Sequence, residues 1–214
     1  MRATRAGSAG EVAGQPASSV ERVDLASLIA IDVHAHAEIS SGGRTSLSPE
    51  LEAAKARYFK TGNPHPTIDE MAAYYRERKM AAVVFTVDAE SATGHPPVPN
   101  EDVARSCARH PDVLIPFASL DPWRGKAAVR QARLLVADHG VRGFKFHPSL
   151  QAFHPNDPMA YPLYEVIEEL GVPAVFHTGQ TGIGAGVPGG GGIRLKYSNP
   201  LYIDDVAVDR KSVV

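Results

Sequence analysis

From Leu28 onward, short apolar runs alternate with longer amphipathic stretches. Leu28 to Val33 reads as a buried strand, and Ala82 to Val87 as a second. Val113 to Leu120, Gly143 to His147 and Pro173 to His177 continue the series. The intervening stretches carry helical spacing. Thr67 followed by Glu70 is a capping box, and it opens a helix with Ile68, Met71, Ala72 and Tyr75 on one face. Asn100 is expected to cap a helix running to Arg109, and Lys126 to His139 forms another. Leu163, Val166, Ile167 and Leu170 make a stripe that stops at Gly171, and a last helix is expected over Pro200 to Val208.

From the second strand on, the strands start near 82, 113, 142 and 173. That period of about 30 residues is the size of one strand–helix unit. Its repetition predicts an α/β fold with a parallel sheet. Periodicity alone leaves a doubly wound sheet and a (β/α)₈ barrel open. No G-x-G-x-x-G follows the first strand, which weakens a dinucleotide-binding version.

Composition narrows the function classes. The 214 residues carry 22 basic and 24 acidic side chains, and 43% are hydrophobic. A near-neutral chain without a long basic run is a poor nucleic-acid binder, so a small-molecule substrate is the expected partner. No apolar run reaches the ~18 residues of a membrane span. A single cysteine, Cys107, excludes an intrachain disulfide framework, weakly favours the cytoplasm, and sits in a helix where core is the expected role. Residues 1–27 are rich in Ala, Gly, Ser and Val without periodicity, and are expected to be a disordered or mis-called extension. They lack the apolar core of a secretory signal.

Candidate chemistry collects at strand ends. The first strand closes on His34-Ala35-His36. Residues two apart on a strand share a face, so both imidazoles project together, as a metal clamp requires. The alternative is two exposed loop histidines. On the fourth strand Lys145 and His147 share one face, while Phe144 and Phe146 face the helices. A buried lysine needs a charged partner or a depressed pKa. It is thus a structural residue, an anion-binding group or a support for the metal shell. The fifth strand ends at His177. Satisfied core histidine is the competing reading for His147 and His177. Eight of the fifteen residues from Thr178 to Gly192 are Gly, the composition of a lid or a backbone cradle for an anion. Arg194 and Lys196 follow it and offer substrate-binding cations for a carboxylate or phosphate, or else are solvated charge. His95 and His154 fall in loops, and His65, His110 and His139 read as surface residues.

These motifs resemble the amidohydrolase-related family of metal-dependent hydrolases, in particular its aminocarboxymuconate semialdehyde decarboxylase-like branch. The resemblance rests on Asp32 to His36, Gly143 to Pro148 and Phe176 to Gly179, and spans about residues 31–209. Arg194 to Pro200 looks like a subgroup described as 4-hydroxyphenyl-β-ketoacyl-CoA hydrolases. The resemblance implies a distorted (β/α)₈ TIM barrel and one divalent metal, most often zinc. His34, His36 and His177 would be its ligands, and Lys145 and His147 would steady an oxyanion. It implies hydrolysis of a carbonyl substrate by metal-activated water, or decarboxylation, and allows a homodimer. The family's sixth-strand His and eighth-strand Asp have no counterpart here. Asp209 to Val214 reads as translated sequencing adapter. The expectation is therefore a barrel cut after about five βα units, spanning 28–208, that is inactive alone. A barrel half kept as a non-catalytic binding module is the alternative, and the gene sequence past Val208 discriminates the two.

Overall fold

The structure, a computed structural model, describes residues 23–60 and 65–209. Five strands alternate with helices. They are β1 (Ala30–His36), β2 (Met80–Phe85), β3 (Leu114–Pro116), β4 (Phe144–Phe146) and β5 (Ala174–Phe176). The helices are α1 (Pro49–Phe59), α2 (Ile68–Glu77), α3 (Glu90–Thr93), α4 (Asn100–Cys107), α5 (Lys126–His139), α6 (Pro148–Gln151), α7 (Tyr161–Glu169) and α8 (Leu201–Asp209). β1, β2 and β3 pair in parallel in that order, and β4 pairs in parallel with β5. A parallel bridge between Ala118 and Phe144 joins the two groups, through Ala118 N–H to Gly143 O at 3.0 Å and Lys145 N–H to Ala118 O at 2.7 Å. The five strands thus follow chain order, as in an arc of a βα barrel.

Alternation along the strands explains the layers. Ala82 and Val84 of β2 pack outward with Ile68, Met71, Ala72 and Tyr75 of α2 and with Val103 and Cys107 of α4. Phe144 and Phe146 pack outward with Ala128, Ala132 and Leu135 of α5 and with Leu163, Tyr164 and Ile167 of α7. Val83, Phe85 and Phe117 point the other way and form a small inner cluster. The capping box of α2 is present, with Glu70 N–H donating to Thr67 Oγ1 and Thr67 N–H donating to Glu70.

Several expectations change. The first strand runs over Ala30–His36 and is not buried: Ile31 and Val33 are 38% and 60% exposed, because β1 lies at the end of its sheet with β2 as its one paired neighbour among the described residues. Asn100 does not cap α4, whose cap is Pro99 with no side-chain bond. The Asn100 amide instead turns into the core, donating to Ser119 O and accepting from Ser119 N–H, both at 2.8 Å. The third strand is shorter than its apolar run, because after Pro116 the chain leaves β2 and pairs with β4. His65 is not a surface residue: its side chain is 14% exposed and its Nδ1 lies 3.2 Å from Glu38. His110, 21% exposed at its side chain, likewise lies against Asp69, and only His139 stands open. Cys107 is buried, as expected. Among the described residues no helix is long and apolar enough to cross a membrane. Most of the expected 1–27 extension, and all of the expected tail except Asp209, lie outside the described residues. Asp209 itself ends α8 and accepts a bond from the Tyr161 hydroxyl at 3.1 Å.

Candidate metal centre

β1 carries a local irregularity. Asp32 pairs with Ala82 and Ala35 with Val84, so one extra residue stands on β1. Such a bulge re-aims side chains next to functional sites. Asp32 fixes it: one oxygen accepts the His34 N–H at 2.9 Å and the other accepts the Tyr75 hydroxyl at 2.7 Å. Past this turn His34 and His36 lean together, with their Nε2 atoms 3.0 Å apart. Phe85 of the inner cluster supports both rings, at centroid distances of 5.4 and 5.0 Å.

His177 directly follows β5. Its ring stacks on His147 at 4.0 Å and 10°. Its Nε2 is buried without a hydrogen-bond partner. A metal-ligating histidine needs one ring nitrogen free of protein partners, and Nε2 of His177 is placed so.

The electrostatics keep these rings neutral. Burial, then the charge of His34 and of Lys145, pushes His36 down to about 3. Burial followed by Lys145 lowers His34 and His177 as well. Neutral imidazoles are the ligating form. A buried, partner-free Nε2 on His177 beside a convergent His34–His36 pair therefore suits a divalent ion with N-donor preference.

Lys145 is fully buried beneath the cluster. Its Nζ has no hydrogen-bond partner and stands 5.1 Å from the Phe85 ring centroid. Burial alone pulls its pKa down to about 8. Among the described residues no carboxylate bonds it, so the structural-partner reading finds no support there. His147 is 2% exposed and caps α6.

His34, His36, His147 and His177 open on a cavity of about 910 Å³. Leu47, Tyr58, Phe59, Val87, Leu150 and Ile183 supply its apolar wall, and Gln180 to Ile183 bring in the first part of the glycine-rich loop. The loop seats closely on α1: a Cβ at Gly182 would lie 2.6 Å from both Tyr58 and Phe59. Arg194 and Lys196 are exposed and are not among the cavity's lining residues.

Sequence reasoning missed a second cluster, which reaches the cavity through Glu38. Glu38, Glu52 and His65 offer ligand atoms within 4.8 Å of one another. Lys55 already lies among them, with Nζ 2.5 Å from Glu38 and 3.2 Å from Glu52. Its ammonium stands where a cation would sit. No short spacing motif links these residues, so only the fold could reveal them.

A parallel βα arc with histidines at its strand ends is the frame of an α/β barrel, present here in part. A sequence model described as amidohydrolase matches residues 31–212, and the chain belongs to the amidohydrolase family. A TIM-barrel protein from Bordetella bronchiseptica is similar in structure, with 20% identity, a TM-score of 0.57, and coverage of 86% of this chain and 64% of that one. Two weaker likenesses are 2,6-dihydroxybenzoate decarboxylase from Rhizobium and 5-carboxyvanillate decarboxylase from Sphingomonas paucimobilis. The first has 18% identity, a TM-score of 0.48, and coverage of 71% and 50%. The second has 14% identity, a TM-score of 0.46, and coverage of 88% and 62%. The chain therefore spans 50–64% of the length of these structures. The Bordetella likeness agrees with an α/β TIM-barrel fold, present here in part. No curated protein matches at a significant level.

Proposed function

We propose that the chain supplies the histidine-rich half of the active site of a metal-dependent enzyme that hydrolyses a small carbonyl substrate. The carrying observation is the convergence of neutral His34, His36 and His177 on one apolar cavity. These three would hold one divalent ion, with zinc the best match to an all-imidazole set. Such an ion lowers the pKa of a bound water towards ~7 and polarises a carbonyl. The chain's own groups do the rest. Tyr58, Phe59 and Leu47 exclude water and accept the apolar part of a substrate, which suits an aryl β-ketoacyl thioester. His147 lines the cavity, and Lys145, buried behind it with Nζ 5.1 Å from the Phe85 ring centroid, adds a positive charge towards a developing oxyanion. Arg194 and Lys196 are exposed cations on the same loop, available to a phosphate-bearing carrier. The cytoplasm is the compartment that suits a single buried thiol.

Decarboxylation is the second reading, favoured by one observation: Lys145 Nζ is a buried cation with no partner, which suits a substrate carboxylate. Two measurements test these readings. Elemental analysis of the purified protein should give one zinc per chain, lost in His34→Ala. Assay of the full gene product should release a shorter acyl thioester from an aryl β-ketoacyl thioester for the first reading, and CO₂ from an aromatic carboxylate for the second. A metal-free protein with unaltered stability on zinc addition would overturn both.

A further inference from the structure

His147 is held by a hydrogen-bond chain that no part of the proposed chemistry uses. Its backbone N–H donates to Gln151 Oε1 at 2.8 Å. The Gln151 amide in turn donates to Asp88 O and Leu120 O, at 2.8 and 2.9 Å, beyond the ends of β2 and β3. The main chain at His147 is thus tied to two neighbouring strand ends. The ring is tied separately. Ser198 Oγ donates to Ser149 Oγ at 2.8 Å, and Ser149 Oγ lies 3.3 Å from His147 Nδ1. The Leu150 N–H, shared with His147 O at 2.9 Å, also points at Nδ1 from 3.4 Å. All three side chains, Ser198, Ser149 and His147, are at least 98% buried.

The partners at Nδ1 point to the ring's proton. A backbone N–H can only donate, so a hydrogen on Nδ1 would oppose the Leu150 N–H head-on. Ser149 receives the Ser198 hydroxyl proton and is left to give its own to Nδ1. Nδ1 is therefore the acceptor, and the one hydrogen of the neutral ring stands on Nε2. His147 lines the cavity. The neighbouring His177, stacked on it at 4.0 Å, has its Nε2 buried without a partner.

We infer that Ser149 and Ser198 are positioning residues that fix His147 as an Nε2–H donor for an anionic substrate oxygen, and so exclude it from the metal's ligand set. Ser198 also receives the Gly179 N–H on its carbonyl at 2.8 Å, so the same chain anchors the start of the glycine-rich loop. The role towards a substrate oxygen rests on the function proposed above, whereas the tautomer stands on geometry alone.

Long-range ¹⁵N–¹H correlation on the metal-free full chain with labelled histidine reads the tautomer directly. The His147 signal is identified by its loss in His147→Gln. A single Nε2–H tautomer is expected in the wild type. Ser149→Ala should convert it to a mixture, Ser149→Thr should restore the single form, and Ser198→Ala should give a smaller admixture. An Nδ1–H tautomer in the wild type overturns the inference, as does an unchanged signal in a folded Ser149→Ala. If Ser149→Ala does not fold, the wild type and Ser198→Ala still decide. Zinc alone is then added. Loss of the His147 Nε2 proton makes that residue a ligand and overturns the inference. Failure of the His34, His36 and His177 signals to move leaves the tautomer standing and removes the metal reading instead.

Discussion

Gly143→Ala puts one methyl group against the floor of the site. Gly143 precedes β4, and its φ is not in the left-handed region, so the backbone accepts alanine. The conflict is with a side chain. A Cβ there would lie 2.3 Å from both Cε2 and Cζ of Phe117, and 2.8 Å from Cδ2, where ordinary contact begins near 3.4 Å. Phe117 is 6% exposed and packs with Val83 and Phe85, so its ring cannot swing into solvent. Relief requires the ring or β4 to shift by about an ångström. Inserting a methyl into such a packed site costs about 1–3 kcal/mol. With a urea slope of about 2 kcal/mol/M, a 2 kcal/mol loss lowers the midpoint by about 1 M with the slope unchanged. The displacement also reaches the proposed metal ligands, since Phe85 packs against the rings of His34 and His36. Zinc affinity measured by calorimetry should therefore fall in the same variant. Adding Phe117→Leu should recover stability relative to Gly143→Ala alone, because the two sites share one volume. A Gly143→Ala protein within about 0.5 kcal/mol of the parent would refute the packing argument.

Asn100→Ala removes both bonds to Ser119 and leaves a buried N–H and C=O unpaired, so about 2–3 kcal/mol of stability should be lost in urea melts. A cap-type loss would be nearer 1 kcal/mol. Burial pushes the Cys107 thiol up to about 12, so iodoacetamide at pH 8 should leave it unmodified until denaturant is added. The Arg76 guanidinium, bonded to both oxygens of Asp112 at 2.8 Å, holds that carboxyl below its usual range. A depressed carboxyl stabilises the fold above its unfolded pKa of ~3.9 and loses that contribution as pH falls through its folded value. Arg76→Leu should therefore cost at most about 1 kcal/mol at pH 6, the pair being partly exposed, and the deficit should close in acid.

The parts that the sequence makes legible are those that local chemistry decides. Thr67 and Glu70 cap α2 because both partners of the capping box lie within one turn. α5 runs over Lys126–His139, the expected span, because Gly140 at φ 67 ends an amphipathic stretch. His34 and His36 are legible as a pair for the same reason, two positions apart at a strand end. Tertiary choices are not legible in this way. Asn100 at a helix start is a good cap by type, but Ser119, nineteen residues on, offers a buried N–H and C=O that the same amide satisfies together. Glu38, Lys55 and His65 meet only because α1 turns back over the end of β1. The bulge at Asp32 belongs to this second kind, and it bears most on function. Strict alternation along β1 would place His34 and His36 on one face by parity alone. The extra residue lies between Asp32 and Ala35, and Asp32 bonds the His34 N–H and the Tyr75 hydroxyl there. Spacing pairs the two histidines, whereas the backbone that aims them is held by a carboxylate outside the proposed ligand set and by a tyrosine forty-three residues away.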